Sequence, residues 1–183
     1  MTEHPASPDL GATPGSQLPG DLSGLVDALA SFASGVILVM VADGRDDIGT
    51  TVTAFCPVSL TPPLVLVSLI AQSYPAEVLS RVDRFALVVL SAGQRALAGR
   101  FAASGRPGAR LALEGTPHRR GEDSGALIPE GGLAALECAA LQRVTAGDHV
   151  LVVASVVAVP YVAEGGDPLV RFAGGYPRLQ GPR

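Results

Sequence analysis

The 183-residue chain contains no lysine. Any phosphate it binds must therefore be held by arginine, hydroxyls or backbone amides. Charged residues make up only 16% and the formal net charge is -4. That balance offers no basic stripe for nucleic acid. Two cysteines, Cys56 and Cys138, fit neither a disulfide framework nor a zinc spacing. Their apolar contexts, AFCPV and LECAA, predict two buried free thiols. The longest apolar stretch, Val150 to Ala163, is broken by Ser155 and Pro160. It falls short of the roughly 18 apolar residues that a membrane helix takes. No charged n-region precedes an apolar core near residue 1, so no signal peptide is expected. The expectation is a soluble cytoplasmic protein that binds neither membrane nor nucleic acid.

Chemical motifs are equally sparse. There is no GxGxxG between a strand and a helix, no Walker loop, no HExxH and no GxSxG. The three histidines, His4, His118 and His149, are scattered, so no metal set is expected. Asp and Glu cluster in loops, which leaves hydrolysis by side chains without visible machinery. Such a chain fits a cofactor enzyme, where the bound group carries the chemistry and the protein supplies binding, orientation and electrostatics.

What the sequence does have is apolar residues, 48% of the total, enough for one domain with a real core. Residues 1–20 are rich in proline and glycine and predict a structureless leader; 21–183 form the domain. Asp21 is placed to cap a helix over Leu22–Ala33, stopped by Gly35, with an apolar face to lay across the sheet. VILVMV (36–41) is apolar throughout and predicts a strand covered on both sides. ADGRDD (42–47) then turns it into a hairpin. A strand at 64–69, a short helix from Pro75, a strand at 85–91 and a helix over 94–103 follow. Between Ser104 and Gly132 the pattern dissolves into a long loop carrying Arg106, Arg110, Arg119 and Arg120. Long strands at 133–144 and 149–159 are joined by TAGD, and PLVRFA (168–173) ends the series. Hairpin spacing with few helices argues an antiparallel barrel.

The stretch the chain is built around is GTTVTAFCPVSLTPPLVLVS (49–68). Alternation puts Thr51, Thr53 and Phe55 on one face and Thr50, Val52 and Ala54 on the other. Gly49 and Ala54 are small enough for a flat ligand to approach the backbone. Pro57, Pro62 and Pro63 are expected to break the ladder beyond. The competing reading is an ordinary edge strand with a Thr-rich solvent face.

FASGV (32–36), the 49–69 stretch, LECAAL (136–141), GDHVLVVASVVAV (147–159) and DPLVRFAGGYPRL (167–179) together resemble the flavin reductase-like family. The resemblance runs from about Leu22 to Leu179. It implies a mainly β fold, the antiparallel FMN-binding split β-barrel of Greek-key type with a few short flanking helices. It also implies reduction of free FMN or FAD by NADH or NADPH, a homodimer, and a flavin-dependent monooxygenase as acceptor of the reduced flavin. By position, Thr50, Thr51, Val52, Thr53, Ala54, Phe55, Pro57 and Val58 would contact the flavin. Gln72, Ser73 and Tyr74 would hold its phosphate tail, or form a solvated turn. Relatives often place a basic residue there, and this chain has none. His149 would position the nicotinamide as the catalytic histidine, with Asp148 a turn residue beside it. Gly174, Gly175 and Tyr176 would meet the nucleotide, against a core role for the tyrosine. The four loop arginines would be solvated, or one would reach a dinucleotide phosphate. The alternative function is a flavin carrier or redox-sensing subunit without turnover.

Overall fold

The computed structural model describes residues 22–179 except 45, 104 and 106. The expected leader, the Asp21 cap and Arg106 lie outside the described residues. The chain opens with α1 (Leu25–Ala30), β1 (Ser34–Gly35), β2 (Ile37–Asp43), β3 (Asp46–Val52), β4 (Phe55–Leu60) and β5 (Pro63–Ile70). Next come α2 (Tyr74–Arg81), β6 (Arg84–Val89), α3 (Arg95–Ala102) and α4 (Ala109–Ala112). The series ends with β7 (His118–Arg120), β8 (Leu127–Pro129), β9 (Ala134–Ala146), β10 (His149–Val162) and β11 (Val170–Arg171).

Seven strands form one antiparallel sheet in the order β3-β2-β6-β9-β10-β5-β4. β1 pairs with β11, and β7 with β8, in two small additional ladders. The fold is thus mainly β and antiparallel, with short helices, as expected. Sheet order explains the apolar runs. In β2, Ile37, Val39 and Val41 join a cluster with Val67, Leu79, Phe85 and Val152. The alternate residues Leu38 and Met40 join a second cluster with Leu97, Phe101, Leu113 and Ile128. A strand buried on both faces has no polar positions to alternate with. Each fully buried aliphatic side chain contributes about 1.5–3 kcal/mol, so β2 anchors both halves of the core.

The two outer strands of the sheet, β3 and β4, are neighbours in sequence, with only Thr53 and Ala54 between them. The sheet must therefore curl until its edges approach each other at this one corner. Phe55 N donates to Thr53 O at 3.1 Å, and Ser68 N to Ala54 O at 3.0 Å, fixing the crossing. β3 and β4 are not paired with each other, so the described sheet stays open.

Four expectations need correction. The threonine strand stops at Val52, and Phe55–Leu60 is a strand of its own that starts after the corner. Face alternation therefore does not carry through to Phe55. Pro57 sits inside that strand opposite Val65; β4 is an edge strand, so the missing N–H costs only a register shift between Pro57 and Ser59. The first helix has six residues and buries none of them; Leu25, Val26, Leu29 and Phe32 are exposed. Gly35 does not stop it, because Ser34 and Gly35 pair with Arg171 and Val170.

The fourth concerns the described residues of 104–132, which are held rather than loose. Ala109, Ala112, Leu113, Ala126, Leu127 and Ile128 are buried. Two buried carboxylates bind the polar residues between them. Asp47, 3% exposed, accepts from Arg110 Nε at 2.6 Å and Arg120 Nη1 at 2.9 Å. Glu137 accepts from Ser124 Oγ at 2.6 Å and from Ser124 N at 2.7 Å.

Candidate functional site

The corner between β3 and β4 is where the molecule is open. A cleft of about 590 Å³ there is lined by Thr50, Thr51, Val52, Thr53 and Ala54. Its other walls bring Val36, Ser68, Leu69, Ile70, Ser73, Ala102, Ala103, His149, Arg171 and Tyr176. β3 is the terminal strand of its sheet, paired on one side with β2 alone. Such an edge turns alternate N–H and C=O groups away from the ladder. The groove thus combines an unpaired backbone edge, threonine hydroxyls and an apolar wall.

Residues about a hundred positions apart in sequence meet here for a topological reason. His149 opens β10 opposite Ile70, the last residue of β5. Arg171 on β11 pairs with Ser34 on β1, just before Val36, and Tyr176 follows the turn at Ala173–Gly174. Among the sequence-predicted residues, Thr50–Ala54, Ser73, His149 and Tyr176 line this cleft. Gln72 and Tyr74 line an adjoining cleft of about 740 Å³, with Asp46–Gly49 and Gly108, which shares Ser73. Phe55 packs on the apolar cluster under β5, while Pro57 and Val58 are exposed on β4. Gly174 takes φ 75°, and Gly175 N closes that turn by donating to Phe172 O at 2.8 Å.

Several side chains do something other than expected. An added Cβ on Gly49 would lie 2.3 Å from Phe101 and 2.7 Å from the Met40 sulfur. Its smallness serves packing under α3 rather than approach of a ligand. Cys138 is buried as expected, but Cys56 is exposed on edge strand β4. Asp148 is a partner after all: its Oδ1 lies 2.7 Å from His149 Nδ1. That hydrogen bond holds the Asp148 carboxyl below its usual range. An ionised carboxylate only accepts, so Nδ1 carries the proton and Nε2 is the free ring nitrogen.

The described loop arginines, Arg110, Arg119 and Arg120, are spent on structure. Arg110 and Arg120 bind Asp47, and Arg119 donates to Pro160 O at 2.9 Å while lying over Tyr161. The basic residue that sequence reasoning missed is Arg171, which lines the cleft itself. Its signal was present, one charge in the otherwise apolar PLVRFA run, but nothing local says which cavity that run borders.

Ser73 caps α2, its Oγ accepting from Ala76 N at 3.3 Å. The hydroxyl proton remains available to an outside acceptor. The site is thus a groove along an unpaired strand edge, flanked by one hydroxyl-lined and one guanidinium-bearing wall. No group of metal-ligating side chains is present among the described residues.

Residues 29–180 match the flavin reductase like domain. The chain is 39% identical over 156 residues to the reductase component of 4-hydroxyphenylacetate 3-monooxygenase of Thermus thermophilus, covering 85% of this chain and 95% of that one. It is 38% identical to the NADH-dependent FMN reductase SmoA of Agrobacterium fabrum, over 81% and 80% of the two chains. The NADH:FAD oxidoreductase SgcE6 of Streptomyces globisporus, solved with NAD and FAD fragments, superposes with TM-score 0.78 at 29% identity. That match covers 85% of this chain and 91% of SgcE6. The protein belongs to the flavin reductase-like family.

Proposed function

We propose that the protein is an NAD(P)H:flavin oxidoreductase that reduces free FMN or FAD and passes the reduced flavin to a separate monooxygenase. The carrying observation is the cleft at the β3–β4 corner, which gathers Thr50–Ala54, Ser73, His149 and Tyr176 around one unpaired strand edge. We read the curled, open sheet as the family's split barrel. The same reading takes the protein as a homodimer in the cytoplasm, with residues 21–183 as its single domain. No helix among the described residues is long and apolar enough to cross a membrane.

The residues present fit a flavin. Backbone amides of the β3 edge would meet the ring's acceptors and stabilise the negative charge of the reduced form. Ser73, with its free hydroxyl proton, and the start of α2 would receive the phosphate tail without lysine. When bound, the flavin would supply the redox chemistry as a hydride acceptor. His149 would orient the nicotinamide through Nε2, with Nδ1 tied to Asp148. The apolar wall of Val36, Leu69 and Ile70 would keep water from the reacting face.

The test is oxidation of NADH and of NADPH, followed by absorbance, with FMN, FAD or riboflavin added in turn. Flavin-dependent turnover with at least one nucleotide is the expected result. Its absence with every pair would end the reading and favour a flavin carrier.

A further inference from the structure

The arginines of this chain separate into two kinds. Arg81, Arg110, Arg120 and Arg143 pair with carboxylates, and Arg100 and Arg119 donate to backbone carbonyls. Arg171 has neither kind of partner among the described residues, and it is the only arginine among them that lines the threonine-edge cleft. Its guanidinium carbon lies 4.9 Å from the centroid of the Tyr176 ring. Arg95, at the start of α3, lies 5.4 Å from the same centroid.

This arrangement is preorganised for an anion. A guanidinium stacked on a ring is held by its face, and its in-plane N–H donors stay free. Those donors form a fork that fits two oxygens of a phosphate. Two cations gathered on one tyrosine also repel each other, and an anion between them relieves that repulsion. Arg171 and Tyr176 come from the β11 wall, whereas Ser73 comes from the β5–α2 connection. The two walls can serve different phosphates.

We propose that Arg171, held by Tyr176 and supported by Arg95, binds the diphosphate of the nicotinamide dinucleotide. The proposal rests on the reductase reading and adds a nucleotide-recognition residue to it. In a chain without lysine, this pair supplies the charge that the Asp47-bound arginines cannot.

The test compares wild type with Arg171→Ala and Arg171→Lys in steady-state kinetics with NADH varied, alongside flavin titration by fluorescence. Arg171→Ala should raise the KM for NADH about ten- to hundredfold, the value of one or two charged hydrogen bonds. The flavin Kd should stay within about twofold, which also reports that the variant folds. Arg171→Lys keeps the charge without the fork and should fall between. Reduced nicotinamide mononucleotide lacks the diphosphate bridge, so wild type and Arg171→Ala should differ much less with it. A weakened flavin Kd with unchanged KM for NADH would overturn the proposal and assign Arg171 to the flavin phosphate. No change in either would reduce Arg171 to packing. NADH binding followed by its own fluorescence makes the same comparison without turnover. A wild type that binds NADH through Arg171 yet never oxidises it would sink the reductase reading alone.

Discussion

Two thiols and one imidazole show how much a single residue's surroundings decide. Burial beside the Glu137 carboxylate pushes the Cys138 thiol up to about 12, so thiolate is scarce at neutral pH. Cys56 is exposed on β4. Because the thiolate is the reactive form, a native titration with an aromatic disulfide reagent should consume one thiol per chain quickly. The second should react only on unfolding; two fast thiols would contradict the burial of Cys138. Both cysteines have apolar neighbours in sequence, so composition alone gave them the same fate. Their separation lies in sheet order, which places Cys56 on an edge and Cys138 on inner strand β9. His149 carries the second residue-scale prediction. Its Nδ1 is bonded to Asp148, an exposed pair that adds little to stability. His149→Ala should therefore fold normally, raise the apparent KM for NADH several-fold and leave flavin affinity nearly intact. Weakened flavin binding with an unaltered KM for the nucleotide would move His149 to the flavin side of the cleft.

At the scale of elements, the legible parts were those whose cause is local. The β2–β3 and β9–β10 turns could be read because glycine supplies the left-handed residue each one needs, Gly44 at φ 57° and Gly147 at φ 62°. Apolar runs identified β2 and β6 because burial on both faces removes the alternation. The 104–132 segment could not be read, since the contacts that hold it are remote. Arg110 and Arg120 lie 63 and 73 positions from Asp47 in sequence. That carboxylate makes a prediction. Burial alone would raise its pKa, but hydrogen bonds from Arg120 and Arg110 outweigh burial and hold it below the usual range. A carboxyl lowered on folding stabilises above its unfolded value of about 3.9 and loses that stabilisation as pH falls through the lower folded value. Asp47→Asn should cost about 1.5–3 kcal/mol near neutrality, the range for a hydrogen bond to a charged group. Urea unfolding of both proteins across pH should give a constant difference above about pH 5 that closes toward acid. A difference that widened toward acid would contradict the ion-pair account. Because Asp47 lies on β3, the same change should loosen the strand edge that forms the cleft.

On the scale of the whole molecule, the first helix is the feature the single chain leaves unexplained. Its helical spacing of Leu22, Leu25, Val26, Leu29 and Phe32 was plain in the sequence, but periodicity reports that a face will be covered, not by what. Among the described residues nothing covers it: Val26 is 77% and Phe32 76% exposed. A contiguous apolar surface of this kind marks an interaction site. Its position ties it to function. Ala30 O accepts from Ala173 N at 2.8 Å, so the helix end is fastened to the turn that leads into Tyr176 and the cleft. If α1 is the dimer contact, subunit assembly and nucleotide site share one piece of backbone. Sedimentation should then give twice the chain mass for wild type at micromolar concentration. The double variant Val26→Asp, Phe32→Asp introduces two charges whose burial each subunit would have to bear, and it should shift the mass toward that of one chain. Since the turn at Ala173 would lose its support, the KM for NADH should rise in the same variant while urea unfolding of the sheet changes little. A monomeric wild type, or a variant that stays dimeric with unaltered kinetics, would detach this helix from both roles.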